Sequence, residues 1–224
     1  MHGSHARLAE TPMPRTVAYH HFLISPWSYL AIGRFNALVE HSGAIVDYLP
    51  IDVGGTFSEM GGTPPAKRHP ARQRFRLEEL ARWSHHLGVP MNLEPAHFPA
   101  DQTQAACMVH AATAGAGLAE GEDPRRAAGR LSDAVLTAVW RDERNVADPD
   151  TLVALAGDAG LDGQALAAAA AKPAARERYA EATRAAHERG VFGSPTWVIG
   201  DDLFWGQDRL DFVALALGIT PADG

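Results

Sequence analysis

Three short stretches of this chain place reactive or polar side chains where a backbone can assist them. The first is Ser25-Pro26-Trp27-Ser28, lying between an apolar strand-like run and a helical repeat. Free backbone N–H groups and the positive end of a helix dipole at such a junction favour an anion, and a thiolate is one. The plainer reading is that Ser25 caps the helix and Pro26 takes its first position. The second stretch is Gly193-Ser194-Pro195-Thr196, where proline enters a strand through either a cis bond or an ordinary trans start. The third is Leu203-Phe204-Trp205-Gly206-Gln207-Asp208-Arg209-Leu210, in which a strand closes and a helix opens on an amide and an acid. It reads either as a recognition loop or as a helix N-terminus.

What the rest of the chain lacks narrows the chemistry. The only cysteine is Cys107, so neither an intramolecular disulfide nor a Cys-x-x-Cys cycle can form. Its neighbours Ala105, Ala106, Met108 and Val109 give it a packing role. The pairs His20-His21 and His85-His86 point apart on a strand or helix and cannot chelate one ion together. His2-x-x-His5 lacks further nearby ligands, so no metal site is assigned. A formal charge of -7 and a pI near 5.8 argue against nucleic acid or an anionic membrane as partner. No apolar run reaches the ~18 residues needed to cross a bilayer, and no secretion-type start is present, which predicts a cytoplasmic protein.

The elements that must position these residues follow from periodicity. Residues 16–24 (TVAYHHFLI) read as a buried strand, Trp27 to Val39 recur at helical spacing until Ser42-Gly43, and residues 44–52 (AIVDYLPID) read as a second, parallel strand. Residues 53–70 hold four glycines and three prolines and are predicted to be a long loop. Arg72 to Leu87 returns to helical spacing. From Asp101 to Gly190 the alanine-rich sequence predicts four or five bundled helices, with Asp101, Asp123, Asp150 and Asp162 as N-caps. A hairpin over Thr196–Ile199 and Leu203–Trp205 turns at Gly200-Asp201-Asp202, and a last helix spans roughly Gln207 to Leu217. The expected architecture is α/β, with residues 1–15 a tag-like or disordered leader. Residues 16–90 and 191–219 form one sheet-bearing domain, and residues 91–190 are an inserted all-helical domain.

Taken together, ISPWSYLA, PPAKRHPARQRF, LARWSHHLGVP and VFGSPTWVIGDDLFWGQDRLDF resemble the family of 2-hydroxychromene-2-carboxylate isomerases and kappa-class glutathione transferases, a branch of the DsbA-like thioredoxin fold. The resemblance runs from about Thr16 to Gly218. It implies a thioredoxin-like domain with a helical insertion, glutathione as cofactor and a homodimer. It also implies site roles. Ser25 would donate to the glutathione sulfur; Ser194, before a cis Pro195, would offer its backbone to the cysteinyl part; Trp205, Gly206, Gln207 and Asp208 would meet the γ-glutamyl end; Arg72 and Glu79 would close the other side.

The activity implied is cis-trans isomerisation of an aromatic pyruvate-like compound in aromatic catabolism, by thiolate addition, bond rotation and elimination. Net glutathione transfer is the alternative, and a non-catalytic binding module is a third reading that glutathione affinity would separate. A disulfide oxidoreductase is rejected for want of paired cysteines. Two departures stand out. Phe22 occupies a position where relatives carry Asp, and Ser58 and Gly62 stand where they carry Lys and Asn. Weak activity on the chromene itself is therefore expected, unless Lys67 or Arg68 supplies the missing cation. Lys67, Arg68, Arg72, Arg74 and Arg76 form a cationic run that is either a solvated face or an anion site.

Overall fold

The computed structural model describes residues 15–219. The leader through Pro14, with His2 and His5, lies outside them. Arg15, placed in the leader by sequence, is tied into the fold: its carbonyl accepts from Ile45 N–H at 2.9 Å and its guanidinium donates to the Ala216 carbonyl.

The chain opens β1 (Thr16–His21), α1 (Pro26–Ser42), β2 (Ile45–Pro50) and closes β3 (Thr196–Ile199), β4 (Asp202–Trp205), α9 (Leu210–Ala216). Its two ends build one sheet in the order β2-β1-β3-β4. β1 and β2 run parallel across the α1 crossover, while β3 is antiparallel to β1 and β4 to β3. Between the halves lie α2 (Val53–Glu59), α3 (Pro70–Leu87), α4 (Thr103–Thr113), α5 (Pro124–Trp140), α6 (Pro149–Asp158), α7 (Gly163–Ala170) and α8 (Pro173–Glu188). This is the expected α/β order with helices inserted in the middle.

Alternation along β1 sends its side chains to two cores. Val17 and Tyr19 join the main core with Phe35 and Trp197, which continues into α4, α5 and α6, whereas Phe22 joins Ile51, Ala186, Val191 and Val198 on the other face. Tyr19 lies parallel to Trp197 and to His21, with centroids 5.5 and 4.4 Å away. Cys107 is buried, as its apolar neighbours suggested.

Several boundaries differ from the sequence reading. The predicted 53–70 loop contains α2 and a 3-10 turn at Pro65–Lys67. Its glycines permit the helix: the Asp52 carboxylate caps α2 by accepting from Gly55 N–H at 2.5 Å, and a Cβ on Gly55 would meet that same oxygen at 2.7 Å. β1 ends at His21 because Phe22 to Ser25 closes a turn, Ser25 N–H donating to the Phe22 carbonyl at 3.0 Å. β2 is likewise shorter than residues 44–52. α3 begins at Pro70, two residues early, because proline suits a first helical position. Asp123 and Asp162 are N-caps, but Asp101 is not; Gln102 holds that place and Asp101 accepts from Thr103 N–H. Asp150 lies in the first turn of α6, capped instead by Asp148. The last helix opens as a 3-10 turn over Gln207–Arg209 before α9.

Candidate active site

Ser25 stands at the N-cap of α1, and its Oγ accepts from Ser28 N–H at 3.2 Å. That bond uses a lone pair and leaves the hydroxyl hydrogen free for an acceptor. Pro26 fills the first turn and the turn has no acidic residue, so no carboxylate opposes an anion at the positive end of a 17-residue helix.

Ser194 reaches the same place from the other end of the chain. The Ser194-Pro195 bond is cis. The Ser194 Oγ accepts from Phe22 N–H at 2.8 Å and lies 2.7 Å from Ser28 Oγ. Ser28 thus joins the two serines, its N–H to Ser25 and its hydroxyl to Ser194. Among the described residues neither the N–H nor the carbonyl of Ser194 forms a hydrogen bond. The structure therefore brings Ser25, Ser194 and Pro195 together and presents a free stretch of backbone beside a hydroxyl donor.

The remaining sequence-named residues divide. Gly206 N–H donates to the Pro195 carbonyl at 2.9 Å, which fastens this segment behind the cis peptide. Gly206 has φ 107, and a Cβ there would meet Asp208 Oδ1 at 2.6 Å. Gln207 points inward: it is buried, and Arg34 donates to both its side-chain and backbone oxygens, the latter at 3.0 Å. Asp208 is ion-paired with Arg209 at 3.0 Å. Trp205 is half-exposed, lies against Phe192 with centroids 4.7 Å apart, and covers Gly193, where a Cβ would meet its Nε1 at 2.5 Å. On α3, Arg72 is exposed and free of side-chain partners among the described residues, while Glu79 is paired with Arg82 at 2.6 Å.

The Phe22 ring packs on Phe57 with centroids 5.8 Å apart. Phe57 in turn lies over Gly62, where a Cβ would meet its Cδ1 at 2.3 Å. Phe22 and Gly62, two separate departures in sequence, are therefore one apolar contact through Phe57. Ser58 is exposed on α2 and Lys67 is exposed at the 3-10 turn.

Two grooves carry charge. One of about 540 Å³ lies at the far end of α1, lined by Glu40, Tyr48, Arg125 and Arg130 among others. Its arginines are matched, Arg125 to Asp47 at 2.7 Å and Arg130 to Glu122. The other, about 240 Å³, is lined by Arg68, Gln73, Arg76, Leu93, Glu94 and Phe98 among others. Arg68 spends its Nε on the Thr63 carbonyl at 2.8 Å, and Arg76 lies over the Phe98 and Trp140 rings. Among the described residues neither is ion-paired. Partial burial, and then the charge of Arg72, lower Arg68 below the ordinary arginine range; partial burial, and then Arg68, do the same to Arg76. The cationic run is thus not a wholly solvated face.

Sequence reading named Ser28 in the first stretch but gave it no role, although its serine-x-x-serine spacing from Ser25 already places its N–H on a cap oxygen. It missed Arg34 and Phe192, for which nothing local gave a signal. Among the described residues no group of three His, Cys, Asp or Glu side chains gathers to hold a metal ion, and no helix is long and apolar enough to cross a membrane.

Comparison with known proteins adds the family. The description "DSBA-like thioredoxin domain" matches residues 21–218. A 2-hydroxychromene-2-carboxylate isomerase of Sphingobium xenophagum is 31% identical over 202 residues, 90% of this chain and 97% of that one. The human protein glutathione S-transferase kappa 1 is 26% identical over 215 residues, 92% of each chain. A solved 2-hydroxychromene-2-carboxylate isomerase superposes with a TM-score of 0.74 at 27% identity, covering 91% of this chain and 94% of that one.

Proposed function

We propose, since this chain belongs to the DSBA-like thioredoxin family and to its branch of 2-hydroxychromene-2-carboxylate isomerases and kappa-class glutathione transferases, that it is a glutathione-dependent isomerase of an aromatic, carboxylate-bearing compound. The observation that carries this reading is a serine hydroxyl with a free hydrogen at the N-terminus of α1, beside the unpaired Ser194 backbone.

These groups fit a bound thiol. When bound, glutathione supplies a thiolate able to add to an activated double bond and leave it again after the bond has rotated. Ser25 donates a hydrogen bond to the sulfur and α1 adds the field of its dipole. A free thiol with pKa about 8.5 is only ~3% ionised at pH 7; lowering that pKa by about two units raises the fraction roughly 25-fold, equivalent to ~2.7 kcal/mol. One charge-assisted hydrogen bond of ~1.5 to 3 kcal/mol and a dipole of ~0.3 to 1 kcal/mol account for it. Ser194 N–H and carbonyl hold the tripeptide's backbone as a short strand edge. Gln207, held by Arg34, anchors the turn after Gly206 rather than meeting the ligand by its own amide, and Asp208, exposed and paired with Arg209, is the member that meets an ammonium group.

The exposed rings of Phe192 and Trp205 beside Gly193, and the half-buried ring of Phe57 over Phe22, are aromatic surfaces that suit a flat acceptor. Charge that develops on that acceptor needs a cation. With Ser58 and Gly62 unable to provide one, the unmatched Arg68 and Arg76 are assigned the carboxylate, Lys67 and Arg72 adding to the field.

The test is turnover of aromatic 2-oxo acids and of 2-hydroxychromene-2-carboxylate, with glutathione present and absent. The isomerase reading expects turnover that requires glutathione and leaves its concentration unchanged. Turnover without glutathione overturns it, and one glutathione consumed per product makes the protein a transferase.

A further inference from the structure

Two hydroxyl groups meet at this site, and a third lies unpartnered in the core behind them. The Tyr19 phenol is fully buried and has no hydrogen-bond partner of its own, but it faces Ser28, whose hydroxyl lies 2.7 Å from Ser194 Oγ. Burial raises the phenol above the ordinary tyrosine range and Ser28 is the neighbour that opposes the rise, so Tyr19 keeps its hydrogen.

The direction in which Ser28 and Ser194 donate is decided by the Ser28 hydrogen. If Ser194 donated to Ser28, the hydrogen of the fully buried Ser28 hydroxyl would have no acceptor among the described residues, which carries the full penalty of an unmet buried donor. If Ser28 donates to Ser194, that hydrogen is met, and a lone pair of Ser28 Oγ is left open toward the unpartnered Tyr19 phenol. Ser194 Oγ then accepts twice, from Ser28 and from Phe22 N–H at 2.8 Å, which fills both its lone pairs. An oxygen so saturated can only donate. Its hydrogen leaves the pair toward the surface, where Ser194 keeps its small exposure. Ser25 is held alongside, because Ser28 N–H binds Ser25 Oγ at 3.2 Å while Ser28 Oγ meets Ser194.

We propose that the Ser194 hydroxyl is a second donor to the bound thiolate, acting with Ser25, and that Ser28 and Tyr19 are positioning residues that turn its hydrogen outward. The inference rests on the glutathione reading above and goes beyond it, since the expectation for Ser194 concerned its backbone alone. Donation from one hydroxyl to the next polarises each member, so Tyr19 strengthens a bond it does not touch.

The experiment follows the ultraviolet absorbance of the thiolate of bound glutathione against pH in wild type, Ser194→Ala, Tyr19→Phe and the double variant, each first checked for a cooperative melt. Ser194→Ala is expected to raise the bound thiol's pKa by about one unit, a tenfold lower thiolate-to-thiol ratio at fixed pH. Tyr19→Phe is expected to raise it less, and the double variant to titrate like Ser194→Ala alone, because Tyr19 acts only through Ser194. Should either single variant fail to melt cooperatively, Ser28→Ala, which removes the hydroxyl between Tyr19 and Ser194, is expected to give an intermediate rise. A wild type that lowers the thiol's pKa while Ser194→Ala lowers it equally overturns the proposal, as does a double variant whose shifts add. A wild type that binds no glutathione overturns the functional reading beneath it, a different result from either.

Discussion

At Ser25 one oxygen serves two purposes, since it caps α1 through Ser28 N–H and keeps a hydrogen for the site. Ser25→Ala removes both, yet the effects are separable: loss of an N-cap costs ~0.5 to 2 kcal/mol of stability, and glycine in its place only a few tenths. Ser25→Gly is therefore expected to melt close to wild type while losing the sulfur donor, and a comparison of its melt with its glutathione titration separates cap from chemistry. Gly62 is tested at the same scale. Its added Cβ would lie 2.3 Å from the Phe57 ring and 3.3 Å from the Phe57 Cα, too close for the ring alone to yield. Gly62→Ala is expected to destabilise by about 1 to 3 kcal/mol through displacement of Phe57 from Phe22, read as a lower denaturant midpoint; an unchanged midpoint would show Phe57 free to move. Ser25 and Ser194 were legible because a cap and an X-Pro strand entry are local patterns. The 2.7 Å contact of Ser28 with Ser194 spans 166 residues, and the inward turn of Gln207 depends on Arg34, so neither had a local sign.

Among elements, the strands, α1, the hairpin and the helical block were read correctly because each carries its own period and punctuation. α2 was not, because Gly54, Gly55, Gly61 and Gly62 look like chain-breakers until the Asp52 cap, which occupies the room a Gly55 side chain would need, is seen. The cationic run was legible as composition but not as a groove, since Arg68 and Arg76 become unmatched charges only once Phe98 and Trp140 stack beneath Arg76. Arg76→Ala is expected to lower kcat/KM for a carboxylate-bearing acceptor by ~10 to 150-fold, the equivalent of one hydrogen bond to a charged group. Lys67→Ala, at an exposed side chain, is expected to change it by less. Equal kcat/KM for an acceptor and its methyl ester in wild type would contradict the assignment of this groove.

Over the whole molecule, one apolar core runs from the sheet through α4 to α7, and we propose that residues 91–190 fold as an insertion docked on the thioredoxin-like part formed by residues 16–90 and 191–219. The sheet also carries a pH dependence. Burial, followed by the charge of Arg189, lowers His20 to about 4; burial lowers His21 to about 3, partly offset by its bond to the Tyr19 carbonyl. Both are neutral in the fold and protonate more readily when unfolded, so stability is full above about pH 6.5 and declines as pH falls toward those values. Each histidine is expected to remove roughly 2 kcal/mol between pH 7 and pH 5. Both ring nitrogens of His20 are buried without partners, so His20→Leu is expected to keep its stability at pH 7 and flatten the acid decline, measured by urea unfolding at both pH values.

The proposed conversion of bound glutathione into a thiolate by Ser25 is reached most directly by the ultraviolet titration of bound glutathione in wild type and Ser25→Ala. The predicted result is a thiol pKa in wild type lowered by about two units from the free value near 8.5, returning at least one unit toward it in Ser25→Ala. Identical titration of bound glutathione in the two proteins, or no binding to wild type at millimolar glutathione, would contradict it.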